Sequence, residues 1–206
     1  MTAHIDCYLT AISPFAFLGH DALSAVAEKH GKTIEYKPFN MFGVWEVSGA
    51  VPPMKRPPVR QRYRLIELQR VAEFRGIDLV LKPTHFPTDP TLADHCAIAI
   101  SQSGGNPGKF LRAVGEAVWV KNKQIADVDL LAGLLNDNGY SADEIIAQTG
   151  SQEVSDERAA NTQAAIAADA VGAPAYVYDG EVFWGQDRID YLDHMLSTGR
   201  SAFSAE

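Results

Sequence analysis

Ile5-Asp-Cys-Tyr-Leu-Thr-Ala-Ile-Ser-Pro-Phe-Ala-Phe-Leu18 is the stretch that decides the fold. Ile5 to Ala11 is a short β-rich run, and Ser13-Pro14 ends it. A Ser followed by Pro opens helices: the hydroxyl accepts from a first-turn N–H, and proline takes the first helical position at no cost in hydrogen bonds. Phe15, Leu18, Leu23, Val26 and Ala27 then mark one apolar face, and His30-Gly31 closes the helix. Thr33 to Pro38 reads as a second strand. Strand, helix and strand in that order pair in parallel through a right-handed crossover.

Further along the chain the pattern changes. Ala50 to Pro58 holds four prolines and reads as an irregular loop. A helix from about Val59 to Arg75 ends at Gly76, and 78–90 is extended and broken by prolines. Helical patterns follow at about Thr91–Gln102, after the Asn106-Pro107 cap, after Asp127, after the Ser141 capping box, and at about Asp156–Ala170. Strand character returns at Ala175–Tyr178. Asp179-Gly180 signals a hairpin, Glu181–Trp184 is its second strand, and Asp187–Leu196 is a terminal helix. The reading is an α/β fold of β-α-β, a helical block, then β-β-α. Neither end buries its strands alone, so residues 1–44 and 171–206 are expected to form one domain around an all-helical insertion at 45–170.

Bulk properties narrow the function. The 206 residues carry a net charge of -8, which argues against a nucleic-acid or anionic-membrane surface. No run approaches the ~20 apolar residues of a membrane span. The two cysteines, Cys7 and Cys96, form no C-x-x-C pair, which excludes a zinc ribbon and a dithiol motif; no metal is expected. The apolar run Tyr8–Leu18 has no Lys or Arg ahead of it and is broken by Ser13-Pro14, so it reads as folded structure and not as a signal peptide. The expected location is the cytoplasm, where thiols stay reduced.

Three features carry possible chemistry, each with a purely structural alternative. Ser13 is a helix cap, or a hydroxyl at a positive helix end that donates to a bound thiolate. Gly172-Ala173-Pro174 is a turn into a strand, or a cis peptide that presents the Ala173 backbone to an extended ligand. In Phe183-Trp184-Gly185-Gln186-Asp187-Arg188, Asp187 caps a helix and Trp184 is core, or the segment holds a ligand's amino and carboxylate groups.

Taken together and in this order, Ser13-Pro-Phe-Ala-Phe-Leu18, Gly172-Ala-Pro174 and Phe183-Trp-Gly-Gln-Asp-Arg188 resemble the 2-hydroxychromene-2-carboxylate isomerases. Those enzymes stand with the kappa-class glutathione transferases in the DsbA-like branch of the thioredoxin superfamily. Gly49 to Arg70 resembles the family's loop and first insertion helix. The resemblance implies a thioredoxin-like sheet with a helical insertion, glutathione as cofactor and a homodimer. It also implies cis-trans isomerisation of an unsaturated aromatic keto acid, by reversible thiolate addition, in aromatic catabolism. By the same resemblance, Ser13 contacts the glutathione sulfur and Ala173 pairs with the cysteinyl backbone. Trp184, Gly185, Gln186 and Asp187 would take the γ-glutamyl end. Redox relatives carry Cys-Pro-x-Cys where this chain has Ser13-Pro14-Phe15-Ala16, so disulfide oxidation by that pair is ruled out.

On the substrate side, Trp45 stands where the family has a lysine, while Lys55 and Arg56 match a polar–arginine pair used for substrate. A site-lining tyrosine falls at His85 or Phe86. Solvated loop charge is an equal account of Lys55 and Arg56, and a surface histidine accounts for His85. Two other functions compete: a kappa-type transferase or peroxidase that consumes the thiol, and a non-catalytic glutathione-binding module.

Overall fold

The computed structural model describes residues 3–205. Strand β1 (His4–Leu9) leads into helix α1 (Pro14–Lys29), and β2 (Thr33–Pro38) returns beside it. The two strands run parallel, in register from His4 opposite Thr33 to Leu9 opposite Pro38. After the helical block come β3 (Ala175–Tyr178) and β4 (Glu181–Trp184), joined by the turn at Asp179-Gly180. The sheet order is β2-β1-β3-β4, with β3 antiparallel to both β1 and β4.

Register is what positions the site. Tyr8 pairs with Ala175, so the segment entering β3 lies beside the segment leaving β1. Ala173-Pro174 thereby comes alongside the start of α1, although 160 residues separate Ser13 from Ala173.

The helical block comprises α2 (Met41–Ser48), α3 (Pro58–Arg75), α4 (Thr91–Gln102), α5 (Gly108–Trp119), α6 (Val128–Asp137), α7 (Ala142–Gln148) and α8 (Gln152–Ala167). Helix α2 interrupts what the sequence left as chain between strand and loop. Asn40 caps it, accepting from Phe42 N–H at 3.1 Å, and Gly49 ends it in the left-handed region. The proline loop tightens into a 3-10 turn at Pro53–Lys55 before α3. Helix α8 begins four residues ahead of the expected Asp156, because Ser151 caps it by accepting from Val154 N–H.

Helices α4 and α8 pack against β2, and α5 packs across α1. Gly115 makes that last crossing possible: a Cβ there would lie 2.5 Å from the Phe17 ring. One buried cluster joins β1, α1, α4 and α5 through Ile5, Phe17, Leu18, Ile98, Phe110 and Val114. Burial of such side chains at about 25 cal/mol per Å² is the main stabilising term. The chain closes with a 3-10 turn at Gln186–Arg188 and helix α9 (Ile189–Thr198). Asp187 does not cap that helix as expected; Arg188 holds the cap position and no side chain serves it.

Candidate functional site

Ser13 sits at the N-cap of α1 with extended backbone (φ -71°, ψ 119°), and its Oγ accepts from Ala16 N–H at 3.3 Å. The hydroxyl in turn donates to the Ala173 carbonyl at 3.4 Å. That second contact is long, so a better acceptor placed nearby would take the proton donor over. Among the described residues the Ala173 N–H has no acceptor. The Ala173-Pro174 peptide is cis. The next carbonyl, of Pro174, accepts from Gly185 N–H at 2.8 Å, tying the end of β4 to the same place. Gly185 has φ 99°, and a Cβ there would stand 2.5 Å from Asp187 Oδ1. Only glycine fits that turn.

Trp45 on α2 and Trp184 at the end of β4 converge on Gly172. Their indole nitrogens lie 3.7 and 3.2 Å from the point a Gly172 Cβ would occupy. Trp184 is 48% exposed, so it is not the core residue of the structural reading. The structure thus brings Ser13, Ala173, Gly185, Trp45 and Trp184 into one contiguous site. Gln186 is buried, and its Oε1 accepts from Arg75 at 3.3 Å, so its side chain is turned inward. Asp187 is exposed and paired with Arg188.

The remaining substrate-side candidates lie on two separate segments, at 55–56 and 85–86. Arg56 is half-buried with its Nε donating to Val51 O at 2.9 Å, and Lys55 is exposed on the 3-10 turn. His85 is exposed, whereas Phe86 packs on Trp119 with ring centroids 5.0 Å apart.

The sequence reading missed the group that holds the Ser13 loop. Asp94, in the first turn of α4, has no solvent exposure. Its carboxylate accepts from Ala11 N–H at 2.8 Å, Thr10 Oγ1 at 3.1 Å and Arg158 Nη2 at 2.9 Å. Burial pushes the carboxyl up to about 6, against the pull of Arg158 and of the bonds from Ala11 and Thr10. The signal is an acidic residue on a helix whose neighbours Ala93, Cys96, Ala97 and Ile98 are apolar.

Behind Ser13 lies a small cavity of about 20 Å³, lined by Thr10, Ala16, His20, Pro174 and Tyr176 among others, large enough for one water. Burial brings His20 down to about 4, with Arg112 adding to the effect, so it is neutral at pH 7. Burial pushes the Cys7 thiol up strongly and takes Cys96 to about 12. Neither thiol is a nucleophile at neutral pH.

A split thioredoxin-type sheet with a capped serine opposite a cis-proline segment defines the class. Residues 4–197 match the DsbA-like thioredoxin domain model. Within that class, the chain belongs to the 2-hydroxychromene-2-carboxylate isomerase family. It is 30% identical over 199 residues to the enzyme of that name from Sphingobium xenophagum, covering 95% of this chain and 99% of the relative. A solved structure of a 2-hydroxychromene-2-carboxylate isomerase superposes with a TM-score of 0.79 at 25% identity, over 94% of each chain. Human glutathione S-transferase kappa 1 is 22% identical over 93% of this chain and 90% of its own length.

Proposed function

We propose that this enzyme is a glutathione-dependent isomerase of 2-hydroxychromene-2-carboxylate or a related unsaturated aromatic keto acid. The observation that carries the reading is Ser13: a hydroxyl at a helix N-terminus, weakly engaged, beside the unpartnered Ala173 N–H. Those groups fit an extended peptide that carries a thiol. The kappa transferase relative and the named isomerases support the same assignment.

When bound, glutathione supplies a sulfur nucleophile that adds to a conjugated double bond, permits rotation about it and leaves unchanged. The chain's own task is to hold that sulfur ionised. A free thiol has a pKa of about 8.5, and lowering it by ~2 units needs about 2.7 kcal/mol. A charge-assisted hydrogen bond from Ser13 contributes roughly 1.5–3 kcal/mol and the α1 end about 0.3–1 more, so the two suffice. Ala173 offers its N–H to the cysteinyl backbone. Trp45 and Trp184 wall the site, with Gly185 and Asp187 toward the γ-glutamyl end. Gln186, held inward by Arg75, braces that turn. Lys55 and Arg56, with His85 and Phe86, serve the acidic substrate.

The test is thiol stoichiometry during turnover. With a conjugated cis keto acid as substrate, isomerisation proceeds while total free thiol stays constant. Loss of one thiol per product overturns the isomerase reading in favour of the transferase alternative.

A further inference from the structure

A cleft of about 220 Å³ opens between α4 and α8 over β2, lined by Tyr36, Ile98, Ser101, Gln102, Glu157 and Asn161. Tyr36, Ile98 and Asn161 are buried, while Ser101, Gln102 and Glu157 are exposed. Glu157 and Asn161 stand one turn apart on α8, and Ile98, Ser101 and Gln102 share a face of α4. The volume holds a small organic molecule and not just a single water.

The hydrogen bonds of this lining are one-sided. Asn161 Nδ2 donates to Pro38 O at 3.2 Å, Ser101 Oγ to Ala97 O at 3.2 Å, and Gln102 Nε2 to Glu153 O at 3.4 Å. A main-chain carbonyl only accepts, so each partner fixes which end of the amide faces it. Every one of these side chains spends a donor on the backbone and keeps its oxygen open. Asn161 is 5% exposed, and among the described residues no donor reaches its Oδ1. A buried acceptor left in that state is costly until a donor joins it.

Charge points the same way. Among the described residues no Lys or Arg pairs with Glu157. Arg158, next on α8, is turned away to Asp94 at 2.9 Å, and Glu153 and Asp156 add negative charge on the same helix.

We propose that this cleft binds a small primary amine in its ammonium form. Its charge lies at Glu157, Asn161 Oδ1 and Ser101 Oγ take its other hydrogens, and its alkyl body rests on Ile98 and Tyr36. An ammonium group has three donors and no acceptor, the complement of this lining, whereas an acid would meet Glu157 as a like charge. The inference is independent of the glutathione reading. Tyr36 also lines the cavity behind Ser13 and stacks on His20 with ring centroids 5.6 Å apart, so an occupant of the cleft shares a wall with the candidate site.

The probes are n-butylamine, which is protonated at neutral pH as a lysine is, and 1-butanol, which has the same chain without the charge. Amide NMR spectra of the whole protein are recorded as each is titrated in at fixed ionic strength. The amine is expected to give saturable shifts at Tyr36, Ser101, Gln102, Glu157 and Asn161. The alcohol is expected to bind at least ~10-fold more weakly, a difference of about 1.4 kcal/mol. Glu157→Gln, a change at an exposed position, abolishes that preference, while Glu153→Gln, which removes an acid one turn away, leaves amine affinity within about twofold of wild type. Shifts scattered over the acidic surface, equal binding of the two probes to wild type, or equal losses in the two variants overturns the site.

Discussion

Asp94 Oδ1 accepts from the backbone N–H of Ala11 at 2.8 Å, so a carboxylate on α4 fixes the loop two residues ahead of Ser13. The bond is made in the interior, where Arg158 meets the same carboxylate. Breaking a buried pair of this kind by removing one partner costs about 3–5 kcal/mol, because the other charge is left without compensation. Asp94→Leu, which also leaves Ala11 N–H and Thr10 without their acceptor, is expected to lower the unfolding free energy by that amount in urea titrations, and Arg158→Met added to it to recover much of it.

The same carboxyl gives a pH dependence with a definite sign. Its folded value of about 6 lies above the ordinary carboxyl value of 3.8, so between those values the native state binds more protons than the unfolded state. Stability from this group is therefore present at low pH and is lost as pH rises from about 4 through about 6. The gap in stability between wild type and Asp94→Asn should widen as pH falls from 7 to 4. A gap that narrows would mean that Arg158 holds the carboxylate below its usual range.

Gly115→Ala tests the α1–α5 crossing. The new methyl would meet the Phe17 ring at 2.5 Å, and overpacking of this order costs about 1–3 kcal/mol. A melting temperature lowered by several degrees is expected. An unchanged or higher value would show that Phe17 can move aside, and that α5 gains only the helix propensity of alanine.

Trp45 and Trp184 make the proposed glutathione site visible. The third tryptophan, Trp119, is 1% exposed and sits in the core. Glutathione titration should change intrinsic fluorescence, and Trp184→Phe should remove most of that change. It should also weaken binding about fivefold, the worth of about 1 kcal/mol of aromatic contact. A fluorescence response that persists in full without Trp184 would place the ligand elsewhere.

Much of this architecture is legible in the residues. Thr33–Pro38, Thr91–Gln102, Ala175–Tyr178 and Glu181–Trp184 are found where apolar period and turn residues put them. Helix α2 is not legible because it is eight residues long and carries Gly43 inside; only the Asn40 cap and left-handed Gly49 betray it. The early start of α8 escapes because its first turns are polar and show no apolar period. At the site, Ser13 and Ala173 are legible as local motifs, and the β1–β3 register then brings them together. Arg64 is not legible in the same way. The arginines of α3 spread round the helix, and only tertiary packing sets Arg64 on Phe86.

The most direct test of the central claim is the ultraviolet thiolate absorbance on titrating glutathione at neutral pH into wild type and Ser13→Ala. Wild type should develop the thiolate band on binding, and Ser13→Ala should bind glutathione with that band lost. A band of equal size in the alanine variant, or no glutathione binding by wild type at all, would contradict the account.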